Sequence, residues 1–163
     1  MWGQEDFARA RLLAAILKDN PIPAAYRLNY VANFYVGPLI KRIEQKHKMT
    51  RPEWIVLFCL MQQSDLNAQQ ISNVTGRAKT SISAAVRQLE RKKLIVRQAD
   101  VNDARRQVLE ITAAGQRIYK AILGGFIERE TSMIACLSHT ERQTFMTLLD
   151  KIIDNAGTWA QPY

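Results

Sequence analysis

Basic side chains are concentrated in one part of this chain, between residues 77 and 106. Those thirty residues hold nine basic and three acidic side chains, a net charge of +6 out of the +8 carried by all 163 residues. Guanidinium and ammonium groups bind phosphate, and arginine also forms paired hydrogen bonds to guanine. The first chemistry this pattern indicates is binding of an anionic partner, with nucleic acid favoured over an anionic membrane surface.

The segment from Lys79 to Lys92 has the spacing of an amphipathic helix, with an apolar face formed by Ile82, Ala85, Val86 and Leu89. A helix that reads DNA places its N-terminal residues against base edges, where hydroxyls donate or accept and arginine reaches guanine or phosphate. Taken alone, the pattern also fits a solvated surface helix. The candidate DNA-contacting residues of this reading helix are Lys79, Thr80, Ser81, Ser83, Ala84, Arg87 and Arg91.

The elements on either side of the reading helix support the DNA interpretation. Asn67 is a predicted N-cap of a short helix that ends at Gly76, directly before the reading helix. Two β-prone stretches follow it, at residues 94–97 and 107–111, separated by a polar and basic segment. A two-stranded hairpin is not stable alone and must pack on neighbouring helices. The order predicts a winged helix–turn–helix.

Helical patterns dominate the rest of the chain, at about residues 7–18, 24–47, 51–61, 112–137 and 141–155. Thr50, Thr112 and Ser138 are predicted N-caps, and Pro38 predicts a kink in the second helix. Gly124 and Gly125 indicate a bend, a break or a close helix contact in the long helix, and the sequence does not choose among them. The predicted fold class is mainly α with a small two-stranded β-wing and helices at both ends.

Several motifs resemble those of the multiple-antibiotic-resistance-regulator (MarR) family of winged helix–turn–helix transcription factors. The stretch from Asp100 to Arg106 is similar to the family's Asp-x-x-Asp-x-Arg wing signature, and residues 109–115 resemble its hydrophobic-Thr-x-x-Gly segment. The starts of the helices near residues 49–54 and 81–90 also match, so the resemblance covers about residues 49–115. One position departs from it, because Lys93 stands where the family usually has glycine.

The resemblance implies a homodimeric transcriptional regulator of double-stranded DNA, with repression favoured over activation. It implies one domain over residues 1–163, with a DNA-binding lobe at 50–112 and a helical dimerisation lobe formed by 1–48 and 113–163. Arg105 would reach the minor groove at the tip of the wing, oriented by Asp103, with Arg106 as the second candidate. A two-fold dimer would recognise a roughly palindromic operator.

The resemblance also implies release from DNA by a small aromatic acid or phenol bound between the two lobes. Aromatic and polar residues on the second helix, together with Trp54 and a cation for a carboxylate, are the candidates for this site. The candidate ligand-binding residues are Arg27, Tyr30, Asn33, Phe34 and Trp54. Each of them also fits an ordinary role in a helical core.

Three other functions are weighed against this one. A winged-helix module could bind a protein partner or non-specific nucleic acid without ligand control. A redox-sensing regulator would use a cysteine, with Cys59 in an apolar run and Cys136 near a helix end. Enzyme activity is not expected, because His47 and His139 lie far apart and no metal cluster or phosphate-binding glycine loop is present. No metal or cofactor is predicted.

The sequence also predicts no membrane partner. Its longest uncharged apolar run, Trp54 to Met61, has eight residues, whereas a membrane-spanning helix needs about 20. No secretory signal is recognised, and two cysteines cannot form a disulfide framework. A cytoplasmic location is therefore predicted.

Overall fold

The computed structural model describes residues 4–99 and 107–160, with side chains from residue 8 onward. Within these ranges the structure is mostly helical with one antiparallel two-stranded sheet, which confirms the predicted fold class. The elements are α1 (Gln4–Lys18), α2 (Pro23–His47), α3 (Arg51–Gln62), α4 (Ala68–Thr75), α5 (Lys79–Arg91), β1 (Ile95–Ala99), β2 (Gln107–Ile111), α6 (Ala113–Met133), α7 (His139–Asp154) and α8 (Ala156–Trp159).

The four predicted N-caps are confirmed. In α3, α4 and α7 the cap side chain accepts a hydrogen bond from the third helical N–H, and the third side chain accepts one from the cap N–H. These capping boxes satisfy donors that no helix can satisfy internally. In α7, hydrogen bonds from the Ser138 N–H and hydroxyl lower the pKa of Glu141. The N-caps are Thr50, Asn67 and Ser138, and Thr112 caps α6 through the Gly115 N–H.

Contacts divide the chain into two compact units, residues 1–38 and residues 39–163. The core of the second unit lies between α3, α5, α6 and the sheet. The predicted apolar face of α5 is buried there, with Ile82, Val86 and Leu89 wholly inaccessible to solvent. They pack in one cluster with Val56 and Leu57 of α3. This burial fixes which face of α5 remains exposed.

The sheet is joined to the loop between α3 and α4. Strand β1 pairs with β2 from Ile95 opposite Ile111 to Ala99 opposite Gln107. Leu109 also donates its N–H to the Leu66 carbonyl at 2.9 Å, which adds an isolated bridge from the loop between α3 and α4. The sheet is therefore tied to the loop that begins the helix–turn–helix.

The turn into the sheet keeps the backbone conformation that usually calls for glycine. Lys93 has φ +58°, in the left-handed region. Its N–H bonds to Glu90 and that of Leu94 to Leu89, a pattern that closes the end of α5. Lys93 therefore adopts a conformation that is disfavoured for a residue with a side chain.

The adjacent glycines in the middle of α6, Gly124 and Gly125, have different surroundings. The helix continues through both of them, so there is no break. It ends at Met133 rather than near Leu137, and residues 134–137 form a turn before the Ser138 cap. A Cβ on Gly125 would lie 3.5 Å from the Leu39 side chain, whereas one on Gly124 would have nothing within 4 Å. An alanine would therefore fit at both positions, and at Gly125 it would make an ordinary van der Waals contact with Leu39 of α2.

Candidate nucleic-acid interface

Helix α5 presents a row of exposed side chains opposite its buried face. Thr80, Ala84, Arg87 and Arg91 follow one another at spacings of four, three and four residues, and all four are exposed. Lys79 is also exposed, whereas the other two predicted contact residues, Ser81 and Ser83, are half-buried. The arrangement offers short side chains toward the N-terminus and two guanidinium groups further along.

The start of α5 is open to an anion. Ala78 occupies the cap position and makes no side-chain hydrogen bond there. The alanine side chain has no acceptor, so no side chain at the cap position binds the first backbone N–H groups of the helix. Free N–H groups and the positive end of the helix dipole favour phosphate. Lys79 adds a full charge at the same end.

The sheet is joined to α5 by an ion pair on the surface. Arg97 of β1 binds Glu90 through two hydrogen bonds, Nε to Oε1 at 2.7 Å and Nη2 to Oε2 at 3.2 Å. The bond to Glu90 raises the pKa of Arg97 above its ordinary value. Two such hydrogen bonds between one guanidinium and one carboxylate restrict the orientation of both side chains. It orients β1, and therefore the hairpin, relative to the reading helix.

A second ion pair joins Lys92, the residue after α5, to α3 and engages one cation of the basic segment 77–106. The Lys92 ammonium lies 2.5 Å from Oε1 of Glu53 and donates to the Lys48 carbonyl at 2.7 Å. The Glu53 side chain is only 2% exposed, and its other oxygen accepts from the Thr50 N–H. From the sequence, Glu53 was recognisable only as part of a capping box, because its partner lies 39 residues away.

The predicted residues of the wing tip, Asp103, Arg105 and Arg106, lie outside the described residues. Their roles remain predictions that rest on the resemblance. The described strands on either side end at Ala99 and begin at Gln107.

Two of the predicted ligand residues lie together in the first compact unit. The rings of Tyr30 and Phe34 have centroids 4.6 Å apart. Arg9 of α1, which no sequence pattern singled out, has its guanidinium 4.5 Å from the Phe34 centroid and donates to the Tyr30 hydroxyl at 3.2 Å. Arg27 instead donates to the Pro23 carbonyl of its own helix, and Asn33 is exposed.

Trp54 belongs to the second unit and is buried. Its ring stacks on Tyr119 at 5.3 Å and on Phe126 at 4.8 Å, both of α6. Such contacts are typical of a core residue. They join the start of α3 to α6, and a role for Trp54 in ligand binding stays a prediction.

The two cysteines differ in accessibility. Cys59 is half-buried, and burial raises the pKa of its thiol, whereas Cys136 is exposed. Because the thiolate is the reactive form, Cys59 is the poorer nucleophile at neutral pH. Within residues 8–99 and 107–160, no three side chains of the metal-ligating types lie together.

We expect a thiol reagent such as iodoacetamide to modify Cys136 at least tenfold faster than Cys59 in the native protein at about pH 7.5. The physical reasons are the exposure of Cys136 and the raised pKa of the half-buried Cys59 thiol. Mass spectrometry of peptides after timed quenching measures both rates. A Cys136→Ser variant serves as the control and should lose the fast phase, and equal rates at the two sites would contradict the prediction.

These features define a class of protein, the winged helix–turn–helix proteins with an exposed basic reading helix. Residues 49–107 match the model of the MarR family. The chain is 31% identical over 111 residues to the HTH-type transcriptional regulator MhqR of Bacillus subtilis. The matched residues make up 68% of this chain and 77% of that protein. It therefore belongs to the MarR family of transcriptional regulators, which confirms the resemblance.

Two further proteins are similar over most of the chain. The homoprotocatechuate degradative operon repressor of Escherichia coli is 21% identical over 137 residues, 84% of this chain and 90% of that protein. The protein chain in the crystal structure of the S. aureus MepR–DNA complex is 26% identical to this chain, with a TM-score of 0.72. The match covers 84% of this chain and 99% of the MepR chain. Separately, no described helix is long and apolar enough to cross a membrane.

Proposed function

We propose that this regulator is a homodimeric repressor that binds a roughly palindromic operator in double-stranded DNA. The observation that carries the proposal is the exposed row of α5, with Thr80 and Ala84 followed by Arg87 and Arg91. The same helix has an uncapped N-terminus and is oriented against the sheet by Arg97 and Glu90. The similarity to MepR, whose structure was solved with DNA, supports this.

The exposed apolar residues of the helical arms support the dimer. Helix α7 has no buried residue, although its sequence is amphipathic. Five of its apolar side chains are between 37% and 64% exposed: Phe145, Met146, Leu148, Ile152 and Ile153. Helices α1 and α2 also carry exposed apolar residues, among them Leu12, Ile16, Leu28 and Val31. Exposed apolar surface of this extent favours an interface, and a second copy of the chain would cover it.

We further propose that a small aromatic acid or phenol releases the repressor from DNA. The aromatic pair Tyr30–Phe34 offers stacking surface, and Arg9 beside it offers a cation for a carboxylate. The name of the E. coli relative identifies a repressor of a degradative operon for homoprotocatechuate, a phenolic acid. A repressor that acts on the chromosome would work in the cytoplasm. Arg105 is the proposed contact at the tip of the wing.

Replacing Arg87 or Arg91 by alanine is expected to weaken operator binding about 10- to 100-fold, because a base or phosphate contact contributes about 1–3 kcal/mol. Fluorescence anisotropy measures the affinity, with an operator selected from a random duplex library. The control is Arg42→Ala, which removes the same charge from an exposed side chain of α2.

The ratio of the affinity for the operator to the affinity for a random duplex separates a sequence-specific repressor from a module that binds nucleic acid non-specifically. Removal of an arginine that contacts a base lowers this ratio. If both duplexes lose affinity equally, α5 contacts only phosphate and the non-specific binding module is favoured. Unchanged affinity for either variant would refute α5 as the reading helix.

A further inference from the structure

We propose that the cleft between the second half of α2 and the middle of α6 binds a short aliphatic carboxylate. The cleft encloses a cavity of about 160 Å³, lined by described residues of these two helices. All of them belong to the second compact unit. None of them is among the residues proposed above for the aromatic effector, so this inference goes beyond the proposed function.

The inner wall of the cavity is aliphatic. Leu39 and Ile43 of α2 and Ile122 of α6 line it, and each is at most 6% exposed. Gly125 leaves room beside them, because it carries no side chain and a Cβ there would already contact Leu39 at 3.5 Å. None of the described lining residues is Phe, Tyr or Trp, so a planar ligand finds no phenyl or indole ring to stack on. An aliphatic chain is therefore favoured over an aromatic ring.

The volume of the cavity limits the length of the chain. An apolar protein cavity of about 150 Å³ holds one benzene molecule, whose ring has about as many carbon atoms as hexanoate. The 160 Å³ between α2 and α6 is of the same size. Burying an aliphatic chain against the apolar wall removes its surface from water, which favours binding. The expected ligand is therefore an acid of about five to seven carbons, such as hexanoate.

Two cations lie at the edge of the cavity. Arg42 and Lys46 of α2 line it and are exposed, and they stand four residues apart, so their side chains are neighbours on one face of the helix. Neither forms an ion pair with a carboxylate within residues 8–99 and 107–160. A ligand whose chain lies against the buried wall would place its carboxylate at this edge. There it can accept charge-assisted hydrogen bonds from a guanidinium and an ammonium group.

One carboxylate lines the cavity from the other helix. Glu128 of α6 is exposed, and no ion pair in the described part of the chain joins it to Arg42 or Lys46. With His47 neutral, the lining therefore carries two positive charges and one negative charge. A ligand with a single negative charge balances this set, whereas the second charge of a dianion such as phosphate would be repelled by Glu128. The charges favour a monocarboxylate.

The cavity lies on a different side of α6 from the aromatic cluster around Trp54. The Trp54 ring stacks on Tyr119 and Phe126, whereas Gly125 and Glu128 line the cavity. Successive positions of an α-helix point about 100° apart, so Gly125 and Phe126 face different directions. A ligand in the cavity therefore leaves the stacked rings in place.

The test is isothermal titration calorimetry of the purified protein without DNA, with sodium hexanoate as the probe. Hexanoate should bind with a dissociation constant of about 1 mM or lower, and the uncharged analogue 1-hexanol should bind about tenfold more weakly. Arg42→Gln and Lys46→Gln should each weaken hexanoate binding about two- to fivefold, because both cations are exposed. The control Lys41→Gln removes an exposed charge of α2 that does not line the cavity, and it should leave binding unchanged.

Two variants of α6 test the cavity from the other wall. Ala121→Leu adds a larger side chain at an exposed position that lines the cavity, and it should weaken hexanoate binding at least about tenfold. Its control is Gln116→Leu, at an exposed position of α6 outside the lining, which should leave binding unchanged. Glu128→Gln removes the opposing charge and should strengthen hexanoate binding about two- to fivefold.

Three outcomes would overturn the cavity as a carboxylate site. One is no detectable binding of hexanoate at concentrations up to about 10 mM. Another is binding of 1-hexanol as tight as that of hexanoate. The third is hexanoate affinity that neither Ala121→Leu nor the two glutamine variants of α2 change. Circular dichroism identifies a folding defect in any variant, and the exposed charge variants test the site independently of Ala121→Leu. Because no DNA is present, failure here leaves the repressor proposal standing, and the operator titration tests that proposal separately.

Discussion

Replacing Gly115 by alanine is expected to destabilise the protein by about 3 kcal/mol, a large effect for a single added methyl group. The added Cβ would lie 2.2 Å from the Leu94 carbonyl oxygen and 2.7 Å from Cγ1 of Ile111. The carbonyl has little freedom to move, because it accepts from the Thr112 N–H at 3.0 Å and from the Thr112 hydroxyl at 3.1 Å. The alanine must therefore push α6 away from the sheet.

Gly124→Ala is the matched control in the same helix. Its Cβ would meet nothing within 4 Å, so only the helix propensity changes, and alanine should stabilise the protein by about 0.5–1 kcal/mol. Chemical denaturation monitored by circular dichroism gives the free energy of unfolding for both variants. A free energy of unfolding for Gly115→Ala within about 1 kcal/mol of wild type would contradict the prediction, because α6 would then shift without loss of stability.

Replacing Lys92 by methionine is expected to lower the free energy of unfolding by about 2 kcal/mol. Removing one partner of a buried ion pair costs about 3–5 kcal/mol, because the other charge is left without compensation. The Glu53 side chain is 2% exposed but that of Lys92 is 31% exposed, so water reduces the cost. The affected contact joins the N-terminus of α3 to the end of the reading helix, and DNA binding should weaken with it.

A double-mutant cycle with Glu53→Gln isolates the ion pair. Glutamine can still accept from the Thr50 N–H but carries no charge, so Lys92→Met should then cost less than about 1 kcal/mol. Lys93→Met controls for the loss of a neighbouring exposed lysine and should change stability by less than about 0.5 kcal/mol. An equal cost of Lys92→Met in both backgrounds would contradict coupling through charge.

The caps, the amphipathic pattern of α5 and the order of helix–turn–helix and hairpin were predictable from the sequence. Each depends on residues three or four positions apart, or on adjacent strands. Asn67 and Gln70 form their capping box within four residues, and the left-handed Gly76 follows directly from the end of α4. Such local interactions do not depend on the rest of the fold.

The partners of several side chains could not be predicted in this way. The contact of Arg9 with Tyr30 spans 21 residues, and the sequence pointed instead to Arg27 as the cation of that cluster. The Leu94 carbonyl that excludes a side chain at Gly115 lies in the turn before β1. The resemblance identified Gly115 as part of a family motif, but only the packing of α6 on the sheet explains why a glycine is needed there.

Residue order alone establishes where the positive charge is concentrated and which helix carries it. Tertiary packing decides which of these cations remain available for the proposed DNA contact. It pairs Lys92 with Glu53 and Arg97 with Glu90, and it leaves Arg87 and Arg91 exposed. The difference has a physical cause. The ion pair between Lys92, the residue after α5, and Glu53 of α3 forms only when the apolar faces of those helices pack together, and that packing brings residues 39 positions apart within 2.5 Å.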